Sequence, residues 1–412
     1  MAPFDPQADA TGSGQITSSD PLIRWIVLTS QAAAGPAQFM PLLCDRLITE
    51  GFPLCRVRVS VRTLHPQFIG DSYTWHRGEA EVVVFQPPHA IVNEERFINS
   101  PLAPIFQGAG AIRRRLDGPE ADLDYPILKE LRDEGATDYV AMPLNFSSGR
   151  ISAITFATDR PGGFTPAELG RLDSLLPFLA QAFEIHALRQ TARNILDTYL
   201  GHLTGERVLE GAFRRGDGDT IHAIIWFCDL RDSTTMAQSQ QPRAFLDTLN
   251  EFFESVTAPV LKHGGEILSY LGDGALAIFP IEAKTNHPER CPEHTGACSR
   301  SLAAAREAMK KFSELNVARV DRGDSPLECG IALHLGDVHY GNVGVPERLT
   351  FTVIGAAANE AARLESMCKV LHKPLLLSAD LARLVHEPLE SLGFHYLRGV
   401  FGPREIFTLA NL

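Results

Sequence analysis

The sequence predicts an α+β fold in two parts, and three observations carry that prediction. Residues 221–228 form an unbroken apolar run, which reads as a central strand buried on both faces. Residues 266–271, then Gly272-Asp273-Gly274, then 275–279 read as a strand, a tight turn and a second strand. Between these segments Phe245, Leu249, Phe252, Phe253, Val256 and Val260 recur at helical spacing, marking the buried face of a helix that ends before Gly264-Gly265.

Later elements complete the pattern. Pro259 is expected to kink the last turns of that helix. A second helix is expected over 299–315, and a second hairpin from 327–335 and 338–343 about a turn at Gly336-Asp337. The order strand, helix, two strands, helix, strand gives a ferredoxin-like βαββαβ layer of helices on an antiparallel sheet. In this arrangement Asp229 ends the central strand and Asp273 sits at the hairpin tip. With the hairpin beside the first strand, both carboxylates meet at one edge of the sheet. Neither strand offers much cationic side chain, so the pair calls for a divalent cation.

Residues before 220 read as a separate domain. The first 20 residues, rich in Gly, Ser, Asp and Thr, read as a disordered tail. Helix is expected over 21–50, a half-exposed strand over 54–62, where valines alternate with Arg56, Arg58 and Arg62, and another strand over 82–85. Residues 139–146 and 151–158 flank Ser147-Ser148-Gly149 as a hairpin. Thr165, Pro166 and Glu168 then spell an N-cap, a first-turn proline and a capping box. Leu175, Leu179, Ala182, Ile185, Leu188, Ala192, Ile195 and Tyr199 extend that helix with a seam close to a coiled-coil stripe, interrupted by Pro177. The seam reads as a dimer stalk, with a helix packed on its own domain as the alternative. Residues 201–219 read as a polar connection. The predicted divisions are 1–20, 21–186, a helical linker 187–219, and 220–412.

Composition excludes several classes. At 412 residues and 44% hydrophobic content the chain is long enough for two ordinary cores. A formal charge of -12 argues against a nucleic-acid surface. No apolar stretch reaches the length of a membrane span and the start lacks a signal segment, so no membrane insertion and a cytoplasmic location are expected. Seven cysteines in mostly apolar surroundings read as reduced core thiols. Cys291, His294 and Cys298, with His287 nearby, read as a loop entering a helix, with a metal site as the alternative. His65, Trp75 and His76 read as core or surface residues rather than ligand contacts.

Two resemblances rest on quoted residues. The order of elements over 21–186, with Gly149-Arg150-Ile151 and Ala157-Thr158-Asp159-Arg160-Pro161-Gly162-Gly163-Phe164-Thr165, resembles a GAF-type sensory domain, which implies a small-molecule effector pocket or a dimerising module. Phe227-Cys228-Asp229-Leu230-Arg231-Asp232-Ser233-Thr234, Leu271-Gly272-Asp273-Gly274, and Phe351-Thr352-Val353-Ile354-Gly355 followed by Asn359, Arg363 and Glu365 resemble the catalytic motifs of class III nucleotidyl cyclases of bacterial type. That resemblance implies two Mg²⁺ or Mn²⁺ ions on Asp229, Asp273 and the Leu230 backbone. It also implies a triphosphate cradle from Leu230 through Arg231, Asp232, Ser233 and Thr234, with Asn359 on the ribose and Arg363 on the phosphate under attack.

Asn359 and Arg363 are four apart, so on a helix they share a face. Two positions depart from the adenylate pattern: Ser269 stands where a base-reading lysine is common, and Thr352 where an aspartate is common. Arg398 lies next to the position of the family's phosphate-binding lysine. The expectation is a homodimeric adenylate cyclase that acts on ATP at shared sites. The alternatives are a guanylate cyclase and a degenerate nucleotide-binding signalling domain.

Overall fold

The computed structural model describes residues 20–118, 121–211, 214, 216, 218–281 and 292–410. The tail expected over 1–20 falls almost wholly outside them, as do His287 and Cys291. The chain divides into two compact units, Met1–Ile195 and Leu196–Leu412.

The first unit opens with two helices, α1 (Pro21–Ala32) and α2 (Pro36–Thr49), where one helical region was expected. The Asp20 carboxylate caps α1 by accepting from Leu22 N at 2.8 Å. Strands β1 (Arg56–Arg62), β2 (Gly70–His76) and β3 (Val83–Phe85) follow, then the short helices α3 (Glu95–Ile98) and α4 (Leu102–Phe106). After these come β4 (Ile112–Arg115), α5 (Pro126–Asp133), the hairpin β5 (Asp138–Asn145) and β6 (Ile151–Thr158), and α6 (Pro166–Leu200). The antiparallel sheet runs β3-β2-β1-β6-β5-β4. β2 and β4 carry no clean apolar alternation and are legible only by their pairing.

The expected capping box forms at the start of α6: Thr165 N donates to Glu168 Oε2 at 2.8 Å, and Glu168 N donates to Thr165 Oγ1 at 3.2 Å. The first half of the expected stalk seam is not available to a partner, because Leu175, Leu179 and Ala182 are buried in this unit's own core against Phe39, Val57 and Phe156. Leu188, Ala192, Ile195 and Tyr199, farther along, are exposed. Trp75 lies in the same core, whereas His76 pairs with Glu79 on the surface.

The second unit contains α7 (His202–Leu209), β7 (Gly218–Leu230), α8 (Ser233–Ser239), α9 (Pro242–Lys262), β8 (Glu266–Leu271), β9 (Gly274–Ile281) and α10 (Pro292–Asp321). It continues with β10 (Cys329–Val345), β11 (Arg348–Ile354), α11 (Ala356–Leu371), β12 (Leu375–Ser378), α12 (Ala379–Ala382), β13 (Leu389–Tyr396) and β14 (Pro403–Leu409). The sheet runs β13-β14-β12-β10-β7-β9-β8, with β11 also on β10. The strands β10-β7-β9-β8 and their two helices reproduce the βαββαβ order expected from sequence.

Three details differ from expectation, and the buried Cys298 agrees with it. The segment 201–219 is more than a polar connection, since it holds α7 with Thr204 and Gly205 buried. α10 is longer than 299–315 at both ends. Cys298 is a core thiol that donates to the Leu384 carbonyl oxygen at 3.6 Å. Gly336-Asp337 is not a turn, because β10 runs straight through it, with Gly336 opposite Ala223 and Asp337 opposite His222. The Asp337 carboxylate meets His222 Nδ1 across the strands at 2.7 Å, and the chain reverses only beyond Val345.

Glycine stands at 336 because a helix comes close, not because the chain turns. A Cβ built there would lie 2.6 Å from the Ala357 Cβ of α11, so α11 could not keep its place on the strand. Gly336→Ala is therefore expected to destabilise the protein by about 1–3 kcal/mol through overpacking. Urea denaturation reads this directly, and an unchanged midpoint with an unchanged slope would mean that α11 does not press on the strand.

Candidate functional site

The site is built from the end of β7. Alternate residues of that strand enter different cores: Ile224, Trp226 and Cys228 pack with α9 and α10, whereas Ala223 and Ile225 pack with α11 and β11. Asp229 continues the second series. It is half-buried and stands between Gly274 of β9 and Gly330 of β10.

The neighbouring turn is tied to this strand end. Leu230 N donates to the Asp273 carbonyl oxygen at 3.0 Å, and the Ser233 hydroxyl donates to Asp273 Oδ2. Asp229 and Asp273 therefore meet as the sequence anticipates. Burial, and behind it the charge of Asp273, pushes the Asp229 carboxyl up to about 6 against the opposing pull of Arg231.

A third acid stands close by. Glu365 of α11 is buried, and its Oε1 lies 2.6 Å from Arg231 Nη2. That contact is an ion pair without good hydrogen-bond geometry, and the same guanidinium donates to the Glu365 carbonyl oxygen at 3.2 Å. Burial raises the Glu365 carboxyl to about 7, Arg231 opposes the rise, and the charges of Asp229 and Asp273 add to it. Glu365 sits within a motif quoted from the sequence but was assigned no role there. Its spacing with Ala361 and Cys368 on the buried stripe of α11 is the signal that could have found it.

The segment after Asp229 is partly committed to the fold. Leu230 N is used by Asp273, and Arg231 N donates to the Glu328 carbonyl oxygen at 2.8 Å. The Arg231 guanidinium is held by Glu365. Asp232 adopts a left-handed conformation at φ 55° and is exposed, the Ser233 side chain is buried, and Thr234 is exposed. Of the five residues anticipated as a cradle, Asp232, Ser233 and Thr234 keep backbone N–H groups that no other described residue takes.

A second groove lies on the other part of α11. Asn359 and Arg363 line a cavity of about 470 Å³ together with Arg398, Gly399 and Val400. Both side chains are exposed and make no hydrogen bond or ion pair among the described residues. The structure thus brings Asn359, Arg363 and Arg398 together, and does not bring them to Asp229 and Asp273. Ser269 lies next to an irregularity in the pairing of β8 with β9, and Thr352 lies opposite Gly341 on β11. β8 and β11 are neighbours in the fold.

Residues 219–384 match the family model of the adenylate and guanylate cyclase catalytic domain, so the second unit carries a class III cyclase catalytic domain. Adenylate cyclase 2 of Rhizobium meliloti is 28% identical over 237 residues, which cover 56% of this chain and 61% of that protein. An uncharacterized protein of Mycobacterium bovis is 34% identical over 218 residues, covering 51% of this chain and 36% of its own. The chain therefore spans less than two thirds of the length of these relatives. Among solved structures, the adenylyl cyclase CyaB from P. aeruginosa aligns over 47% of this chain and 96% of its own, at 23% identity and a TM-score of 0.40. A guanylyl cyclase aligns over 46% and 92%, at 27% identity and a TM-score of 0.39. No helix among the described residues is long and apolar enough to cross a membrane.

The donor set at the end of β7 fits a hard divalent cation: two carboxylates at one strand end, one of which, Asp229, keeps its proton through burial first and the charge of Asp273 second. A carboxyl raised from 3.8 to about 6 binds a proton in the folded state that the unfolded chain has already released. Its contribution to the metal-free protein is therefore present below pH 4 and lost as pH rises through about 6. A cation has to displace that proton. Mn²⁺ affinity, measured by titration calorimetry, is expected to rise by up to about tenfold per pH unit below pH 6 and to level off above it. Asp229→Asn is expected to abolish that rise, and a flat affinity profile for the wild type would show that Asp229 is not a ligand.

Proposed function

We propose that the protein converts ATP to 3′,5′-cyclic AMP and pyrophosphate at sites shared between two copies of the chain, under control of its N-terminal unit. The observation that carries this reading is the pairing of Asp229 with Asp273 at one strand end, pinned by the Leu230 N to Asp273 O bond. Two Mg²⁺ or Mn²⁺ ions bound there would activate the ribose 3′-hydroxyl and neutralise the triphosphate.

The chain's own residues supply position and charge. The exposed backbone at Asp232 and Thr234 lies beside the carboxylates, where a triphosphate has room to approach. Asn359 orients the ribose, and Arg363, one helical turn on, balances the charge that builds on the phosphate under attack. Arg398 faces the same groove and holds the outgoing phosphates. The separation of this groove from the same chain's carboxylate pair supports a site completed by a second copy. Ser269 and Thr352 face the base. In the first unit, the antiparallel sheet backed by α1, α2 and α6 supports the GAF-like reading, with a small-molecule effector as the regulator.

Shared sites have a specific consequence. Asp229→Ala and Arg363→Ala should each fall below about a tenth of wild-type turnover, because each removes charge that the transition state needs. Mixed together they should recover activity, since one of the two sites in a mixed dimer keeps both groups. Mixed dimers that demonstrably form and stay inactive would rule out the shared arrangement.

Hydroxyls at 269 and 352 also favour a second reading, guanylate cyclase activity. A hydroxyl can donate or accept, so it serves adenine N6 and guanine O6 alike, whereas fixed donors leave a mismatched base unpaired. Ser269→Lys is expected to raise the ATP to GTP ratio of kcat/KM, because an ammonium suits the acceptor at adenine N1 and opposes the donor at guanine N1. An unchanged ratio would place Ser269 away from the base.

A further inference from the structure

The sheet of the first unit packs its main core on one face and, on the other, a smaller apolar cluster that includes Ile105, Leu128, Tyr139 and Ala157. Val57, Val59 and Val61 of β1 enter the core, and the residues that alternate with them, Arg56, Arg58 and Ser60, turn to the other side. Pairing sets Arg58 opposite Thr155 of β6, and Arg56 opposite Ala157, whose other neighbour is Tyr139 of β5. The arginines are half-buried rather than free in solvent, because α3, α4 and α5 come over this side. Between helices and sheet lies a cavity of about 290 Å³, with Arg96 of α3 bringing a third guanidinium to it.

These three cations lack counter-ions. Arg58 Nε donates to the Ser72 hydroxyl at 2.7 Å, and none of the three forms an ion pair among the described residues. Elsewhere in the unit Arg113, Arg114, Arg160 and Arg171 each sit against a carboxylate. Glu95 and Glu130 also line the cavity, but both are exposed and neither pairs with an arginine there, so the charged lining is three cations against two anions. Burial, and after it the charge of Arg56, pulls Arg58 below its ordinary pKa; Tyr139 opposes this, and Arg96 adds a smaller pull. Holding Arg56 and Arg58 half-buried side by side, with neither paired to a carboxylate, is costly unless something anionic joins them.

We propose that this cavity is a binding site for a small organic anion, a carboxylic acid or a phosphate ester, gripped by Arg56, Arg58 and Arg96. Guanidinium forks match the paired oxygens of either group, and Tyr139 and Thr155 add hydroxyls at the floor. A smaller cavity lined by Ile91, Phe97 and Phe106 shares Arg58 and Leu102 with it, so the ligand has an apolar recess next to its charged end. The volume suits a metabolite at the lower end of ligand-pocket sizes. The site deepens the regulatory reading of the first unit, and rests on that reading only for its effect on turnover.

The test measures binding to the full chain by calorimetry, with inorganic phosphate and with succinate as separate probes and with no nucleotide or metal present. At least one probe is expected to bind saturably. Arg96→Gln, an exposed position that leaves the core intact, should weaken it by about tenfold or more. Arg58→Lys, which keeps the charge and loses the fork, should weaken it by less than Arg58→Gln. Arg363→Ala should leave it unchanged, which separates this cavity from the second unit's phosphate groups. Phosphate alone identifies a phosphate ester, succinate alone a carboxylic acid, and both a shared anion site. The proposal is overturned if neither probe saturates by about 10 mM, if Arg56→Gln and Arg96→Gln bind like wild type, or if Arg363→Ala abolishes binding. An anion that binds in this cavity yet leaves cyclic-nucleotide formation unchanged upholds the site and overturns the regulatory reading.

Discussion

Three carboxyl groups and one guanidinium crowd the end of β7, and the second unit is arranged around holding them there. Asp229, Asp273 and Glu365 repel one another, and among the described residues Arg231 is the cation that opposes that repulsion. What keeps them close is mostly backbone: Leu230 N on the Asp273 turn, Arg231 N on Glu328, and the strand pairing on both sides of Asp229. Each such bond contributes about 1 kcal/mol net, so several acting together can hold charges that side chains alone would let swing apart. Burial, with this repulsion added to it, appears as the raised protonation of Asp229 and Glu365. Gly330 makes the crowding possible, since a Cβ there would occupy the space that Arg231 and Glu365 fill.

The period of two along β7 decides which partners this cluster meets. Asp229 shares a face with Ala223 and Ile225, and that face is covered by α11, which carries Asn359 in its first turn and Glu365 past its middle. A slip of one residue would send Asp229 towards α9 and α10 instead. The register is specified by long pairing with both β9 and β10.

The other end of the hairpin is anchored as firmly. Buried Glu266, the first residue of β8, accepts from Thr204 N and Thr204 Oγ1 at 2.9 Å and from the Tyr340 hydroxyl at 2.8 Å. Arg207 lies over the Tyr340 ring at 4.9 Å. α7 is thereby fastened to the strand that leads through Ser269 to Asp273. Displacing α7 alone would strand a buried carboxylate, which costs far more than moving helix and strand together.

Elements whose signals are local or periodic were legible in the residues alone. The apolar run of β7, the stripe of α9, the turn at Asp273 and the capping box at Thr165 each depend on residues within a few positions of one another, and each stands in the structure as read. The nearness of Asp229 to Asp273 was legible for the same reason, since two strand ends and one hairpin leave few places for them. The rest depended on contacts between residues far apart in the chain. Gly336-Asp337 has turn composition, yet its glycine answers to Ala357 across a packing contact and its aspartate to His222 across a strand pair. Leu175 and Leu179 have seam spacing, but helical period cannot say whether the apolar partner belongs to another chain or to the same domain. Glu365 and the unpaired Arg56, Arg58 and Arg96 take their meaning from neighbours distant in sequence. Burial and charge at such positions are sums over groups that only the folded chain brings together.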